Sequence, residues 1–179
     1  MKDTAQVDEI IKSHGIVDYK WLLPKDIIVA QWVRFKCMFG CSAFGVKASC
    51  PPNTPPVSEC REFINEYKNA LIFHFQVKLD DPETRHEYCT DLNKKLLKVE
   101  HEIFLTGYYK AFLLFLDECA LCDGCTGARE MCLKKEESRP TAEGLGVDVY
   151  QTAHNCGYPL EVLKDYDEEM NRYAFILVE

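Results

Sequence analysis

Four of the chain's ten cysteines fall in ECALCDGCTGAREMC, residues 118–132. Cys119, Cys122 and Cys125 stand at steps of three, and Cys132 follows after a wider gap. Thiolates are ligands for soft and borderline metals, so the spacing decides which metal. Each iron of a four-iron cubane takes one thiolate, and C-x2-C-x2-C lets one short loop wrap a corner of the cube. Gly124 and Gly127 lie between these cysteines and can bring backbone N–H groups close to sulfur. Such donors offset the negative charge of a cluster and tune its potential. Zinc also takes four thiolates, but its usual layout is two C-x2-C knuckles divided by a spacer. A third cysteine three residues after the second has no place in one knuckle. The spacing therefore favours iron and sulfide, with zinc closed by Cys132 as the alternative.

A second set, Cys37-x3-Cys41-x8-Cys50-Pro51-Pro52, lies in a loop rich in Gly and Pro. Such a loop offers little core in which to bury a thiol, so these three cysteines read as ligands too. Pro51-Pro52 is expected to hold the chain extended after Cys50. Seven cysteines are one short of the eight that two cubanes require, which leaves three architectures. One cluster takes Cys119, Cys122, Cys125 and Cys132, with zinc or a labile centre on the first loop. Alternatively the triplet borrows a first-loop cysteine, or two clusters form with Cys60, Cys156 or a non-cysteine group as the eighth ligand. Cys60 and Cys89 fall in helical patterns and read as core or surface thiols. His74 lies inside a strand pattern and reads as a satisfied core histidine. His14, His86 and His101 read as helix surface, while His154, near Cys156, is a minor site candidate. Arg139 and Glu143 are candidates for hydrogen bonds to a cluster or substrate, or for capping and surface roles.

The elements that position these residues follow from periodicity. Residues 5–14 form a short amphipathic helix closed by Gly15, and strands are expected over 17–22 and 27–34, the latter (IIVAQWVR) running into Cys37. Ser58 is expected to cap a helix reaching about Asn69, and ALIFHFQV over 70–77 reads as a buried strand. A long helix covers 82–106, ended by Gly107, and YYKAFLLFL over 108–116 is a strand leading towards Cys119. Short helices follow in TAEGLG and DVYQTAHNCG, then a last strand in YAFILVE. The alternation predicts a single α/β or α+β domain over residues 1–179. It has a mixed sheet packed with helices, and both cysteine-rich loops emerge from strand ends.

Composition bounds the function. The chain has 179 residues, 47% hydrophobic and 28% charged, enough to bury a core without crosslinks. A formal charge of −8 argues against nucleic acid, which demands a basic stripe. No apolar run approaches the ~20 residues of a membrane span, and the first residues lack the apolar segment of a secretory signal. A cytoplasmic setting is expected, where thiols stay reduced and ten cysteines point to metal or redox chemistry. GLGVDV lacks the strand–turn–helix context of a dinucleotide loop.

The ordered set KCMFGCSAFGVKASCPPN, GYYKAF, ECALCDGCTGAREMC and RPTAEGLGVDVYQTA resembles an uncharacterised family of predicted metal-binding proteins of anaerobic bacteria and archaea. The resemblance runs from about residue 30 to about 157. It implies that Cys37, Cys41, Cys50, Cys119, Cys122, Cys125 and Cys132 form the metal-binding set, and it leaves out Cys60, Cys89 and Cys156. Thr141 and Ala142 stand where that family often has Ser and Met, a mild departure. The resemblance names no reaction. The leading expectation is an iron–sulfur protein with one or two [4Fe–4S] clusters that exchanges electrons with a redox partner protein. The alternatives are a redox enzyme or reductive activator, through an open-iron cluster or corrinoid-linked chemistry, and a zinc-stabilised binding module.

Overall fold

The computed structural model describes residues 4–79, 81–165 and 167–179. Its centre is a four-stranded sheet of β1 (Tyr19–Leu22), β2 (Ala70–Val77), β3 (Phe112–Leu114) and β4 (Met170–Leu177). The spatial order is β1-β2-β4-β3, and every neighbouring pair is antiparallel. The expected mixed sheet is thus corrected. Among the described residues, an isolated parallel bridge outside the strands joins Phe115 and Thr141. The two long strands pair along their full length, from Ala70 opposite Leu177 to Val77 opposite Met170.

Both faces of the sheet are covered, which is why its strands read as continuous apolar runs. Because side chains alternate along a strand, Leu71, Phe73, Ala174 and Ile176 face one way. They pack against Val7 and Ile11 of α1 (Thr4–Ser13) and against the long α4 (Pro82–Leu105). Ala70, Ile72, Phe175 and Leu177 face the other way, towards α3 (Val57–Asn65), α5 (Val149–Asn155) and the turn Glu143–Leu145. Helix α4 begins as its sequence dictates, with Asp81 accepting the Thr84 N–H at 2.7 Å and Pro82 in the first turn. It buries Leu92, Leu96, Val99 and Ile103, the three-and-four spacing of one helical face. Gly107 then closes it at φ +97°, a conformation that side chains resist.

Three other expectations are corrected. Residues 27–34 do not form a strand: Val29 makes an isolated bridge to Val147, and the chain then enters helix α2 (Gln31–Gly40). An apolar-rich run such as IIVAQWVR fits a strand or a helix, and among the described residues its strand pairing goes no further than the Val29–Val147 bridge. The cap of α3 is Pro56 rather than Ser58, and the helix ends at Asn65 rather than Asn69. The strand expected over 108–116 shrinks to Phe112–Leu114, because Phe115 turns its N–H to Pro140 O (2.9 Å). No helix among the described residues is long and apolar enough to cross a membrane.

Candidate metal centre

The first cysteine segment is framed by helix α2 rather than by a strand end, contrary to expectation. Cys37 lies in the last turn of α2, and Cys41 closes the helix by donating its N–H to Cys37 O at 3.3 Å. Arg34 on the same helix donates through Nη2 to Thr54 Oγ1 (3.1 Å), Pro55 O (2.9 Å) and Gly144 O (3.1 Å). One guanidinium nitrogen therefore ties α2 to the loop at Thr54 and Pro55 and to the turn at Gly144. The chain does not run extended after Cys50. The Pro51–Pro52 peptide is cis, and Asn53 turns back to donate its N–H to Cys50 O at 2.9 Å.

The second segment does emerge from a strand end, as expected, and its anchor is buried polar chemistry on α4. Glu100 is 4% exposed and accepts the Leu113 N–H at 2.7 Å. It also meets Arg139 side by side, Nε to Oε1 at 2.9 Å and Nη2 to Oε2 at 2.9 Å. Seven residues earlier Asn93, 2% exposed, accepts the Leu116 N–H at 3.2 Å. These bonds fix where the chain leaves β3 for Cys119 and where it returns after Cys132. Arg139 is thus a positioning residue for the loop. Within the loop, Arg129 bonds Ser138 Oγ and donates to Lys135 O (2.9 Å), and Cys132 Sγ lies 3.6 Å from Ser138 Oγ.

The seven thiols fall into two sets. Burial pushes the Cys119 thiol up, and the charges of Cys132, Cys122 and Cys125 push it further, against an opposing Leu121 N–H. Cys119 is therefore within electrostatic reach of the other three. Burial likewise pushes Cys50 up to about 12, and Glu118, Cys41 and Cys37 add to that. Cys37 is raised by burial and by Cys41 and Glu143. Among the described residues, no three His, Cys, Asp or Glu side chains are gathered tightly enough to hold a single ion.

The two sets touch through their backbones. Ala48, between Cys41 and Cys50, donates its N–H to Cys125 Sγ at 3.2 Å. Asn53 Nδ2 donates to Lys47 O (3.1 Å) and to Gly127 O (2.9 Å), and Lys47 Nζ stands 3.4 Å from Glu118 Oε1. Gly127 holds φ +74°, a conformation that side chains resist, so a glycine suits this turn. Modest burial works against ionisation of Cys125. The N–H groups of Gly127, Ala48 and Thr126, with the Lys47 ammonium, outweigh it and lower this thiol's pKa. Thiol donors with N–H groups already aimed at sulfur are the surroundings that a cysteine-ligated cluster requires. The residues present fit such a group.

A cleft of about 370 Å³ opens on the first set, lined by Cys37, Cys41 and Cys50 together with Trp32, Glu143 and Arg172. Glu143, a sequence candidate, lies on its wall. Water reaches this residue, yet protein crowds it, and the desolvation raises its carboxyl's pKa, with the charge of Asp117 adding to it. Sequence reasoning missed Arg172 and the Lys47–Glu118 pair. A lone arginine in the strand MNRYAFIL was the available signal for the former. The remaining candidates stand apart from these contacts. Cys60 donates to Pro55 O at 3.4 Å and is buried, and Cys89 is buried in the core. Cys156 caps α5, where Lys20 Nζ donates to its carbonyl at 2.7 Å. His154 Nε2 faces Leu160 O at 3.0 Å. His74 is the satisfied core histidine expected, between Asp18 (2.6 Å) and Asn171 (2.7 Å).

No curated protein and no solved structure matches the chain. A family model matches residues 20–178, which take in all seven candidate ligands and both loops. The chain belongs to the family described as predicted metal-binding protein (DUF2284).

Proposed function

We propose that the chain is an iron–sulfur protein whose principal centre is held by Cys119, Cys122, Cys125 and Cys132 and which exchanges electrons with a partner protein. The observation that carries this reading is the set of backbone donors from both loops on Cys125, with Cys119 in electrostatic reach of Cys122, Cys125 and Cys132. A four-iron cluster takes its thiolates around a cube rather than at one point, which suits a loop that wraps rather than converges. When bound, such a cluster supplies a reversible one-electron couple. The chain's own residues hold the sulfurs, donate N–H bonds to them and restrain the loop through Arg139 and Asn53. A restrained loop changes little on electron gain or loss. Beside the first segment, Trp32, Phe35, Met38 and Phe39 of α2 are all about half exposed or more. Exposed apolar side chains of this size favour a docking face, and the −8 charge favours a basic partner.

A second reading is favoured by the cleft. Three thiols without a fourth would leave a metal coordination position facing that space, as in an enzyme acting on a small molecule. The test is the anaerobically purified protein. Absorbance near ~400 nm that bleaches on reduction and returns on oxidation, with roughly four or eight irons and matching labile sulfide per chain, is the expected result. A colourless protein with stoichiometric zinc would replace both readings with a zinc-stabilised binding module.

A further inference from the structure

Lys47 carries a charge from the first cysteine segment to the second. It stands between Cys41 and Cys50, and its backbone is held on both sides. Its N–H donates to Ala43 O at 3.2 Å, and its carbonyl accepts the Cys50 N–H and Asn53 Nδ2, each at 3.1 Å. The next N–H along the chain, that of Ala48, is the one that reaches Cys125 Sγ at 3.2 Å. The lysine is therefore fixed beside a candidate ligand of the other segment.

Its side chain joins the segments a second time. Lys47 Nζ stands 3.4 Å from Glu118 Oε1, and Glu118 directly precedes Cys119. The two side chains are only 20% and 29% exposed, and salt screens a partly buried pair much less than an exposed one. The ammonium lies within electrostatic reach of Cys125 and of Cys50, one thiol of each set. A cluster that gains an electron becomes one unit more negative, and its net charge helps to set its potential. A fixed ammonium nearby favours that reduced state, and a carboxylate opposes it. The two partners of this ion pair therefore act on one electron with opposite signs.

We propose that Lys47 and Glu118 set the reduction potential of the centre on Cys119, Cys122, Cys125 and Cys132, the lysine raising it and the glutamate limiting that rise. The proposal deepens the iron–sulfur reading, on which it rests. It is tested by anaerobic redox titration of the full chain, followed by absorbance near ~400 nm. Dithionite supplies one electron per centre through mediator dyes, and no bond to the chain forms or breaks. The samples are the parent, Lys47→Met, Lys47→Arg and Glu118→Gln, with iron and labile sulfide measured in each.

Iron and sulfide should match the parent in all three variants. At a fixed ambient potential, Lys47→Met should lower the ratio of reduced to oxidised centre about tenfold, a fall of ~59 mV for a one-electron couple. Glu118→Gln should raise that ratio several-fold. Lys47→Arg, which keeps the charge, should stay within about threefold of the parent. If Lys47→Met does not retain its iron, Glu118→Gln carries the test through its opposite sign. Iron-loaded variants within twofold of the parent, or shifts of both charge-removing variants in the same direction, would overturn the proposal and leave the pair as a structural pin. A parent with iron and sulfide whose potential ignores both charges loses only this inference. A parent with neither element loses the iron–sulfur reading and this inference with it.

Discussion

The two cysteine segments differ in how the fold holds them. The first is framed by regular structure: a helix carries Cys37, its end is Cys41, and Arg34 clamps it to residues 54, 55 and 144. The second, from Cys119 to Cys132, contains one short turn at Arg129–Met131 and is otherwise irregular. It is held at its two roots by Asn93, Glu100 and Arg139, and at its middle by Ala48 and Asn53 of the first segment. The first set lines a cleft, whereas the second wraps on itself and receives a donor from the first through Ala48. A framed set beside a space suits a site that meets a ligand. A wrapped set with donors on sulfur suits a centre that only gains and loses electrons.

The largest expected effect comes from the root of the second segment. Replacing Arg139 by Leu leaves Glu100, 4% exposed, as an uncompensated buried charge, which should cost about 3–5 kcal/mol in urea unfolding. Limited proteolysis should then cut the chain after Cys132 before it cuts residues 41–50. A loss below about 1 kcal/mol, or first cleavage in the first segment, would erase the distinction between the roots.

A smaller effect tests the link between the segments. Asn53→Ala removes bonds to Lys47 O and Gly127 O and should cost about 1–2 kcal/mol, with the urea slope unchanged. Amide exchange should rise at Ala48 and around Gly127. Unchanged exchange at Gly127 would mean that the second segment does not lean on the first.

The smallest effect lies away from both segments and serves as their control. Burial opposes ionisation of Asp18, but hydrogen bonds from His74 and Tyr158 and the charges of His74 and Lys20 hold its carboxyl below its ordinary 3.8. A depressed carboxylate pKa stabilises the fold above the unfolded value, and that stabilisation is lost as pH falls through the folded value. Asp18→Asn should therefore be about 1 kcal/mol less stable than the parent at neutral pH. The gap should shrink as pH drops below 3.8. Metal content should not change with this substitution.

Much of this frame was legible in the sequence, for identifiable reasons. ALIFHFQV coincides with β2 because a strand buried on both faces is a continuous apolar run with polar ends. Helix α4 was legible because its buried residues keep helical spacing over a long window. Helix α2 was not, because Trp32, Phe35 and Phe39 face solvent and the apolar pattern no longer marks the core. The antiparallel order of the sheet depends on pairings far apart in sequence, which local pattern does not encode. Asn93 and Glu100 did leave a trace: two polar residues seven apart on the apolar face of α4, where an unsatisfied group would be costly. The cysteine spacing separated the two sets by chain position, but the Ala48–Cys125 contact and the cleft with Arg172 arise only from folding.

The central claim is that the second segment alone grips an iron–sulfur cluster through four thiolates. Its most direct test is iron, labile sulfide and absorbance near ~400 nm in three anaerobic samples: the parent, Cys122→Ser and Cys41→Ser. The account predicts that Cys122→Ser loses roughly four irons with their sulfide, while Cys41→Ser keeps at least those four. Parental iron and sulfide in Cys122→Ser, or equal bleaching of both variants, would contradict it.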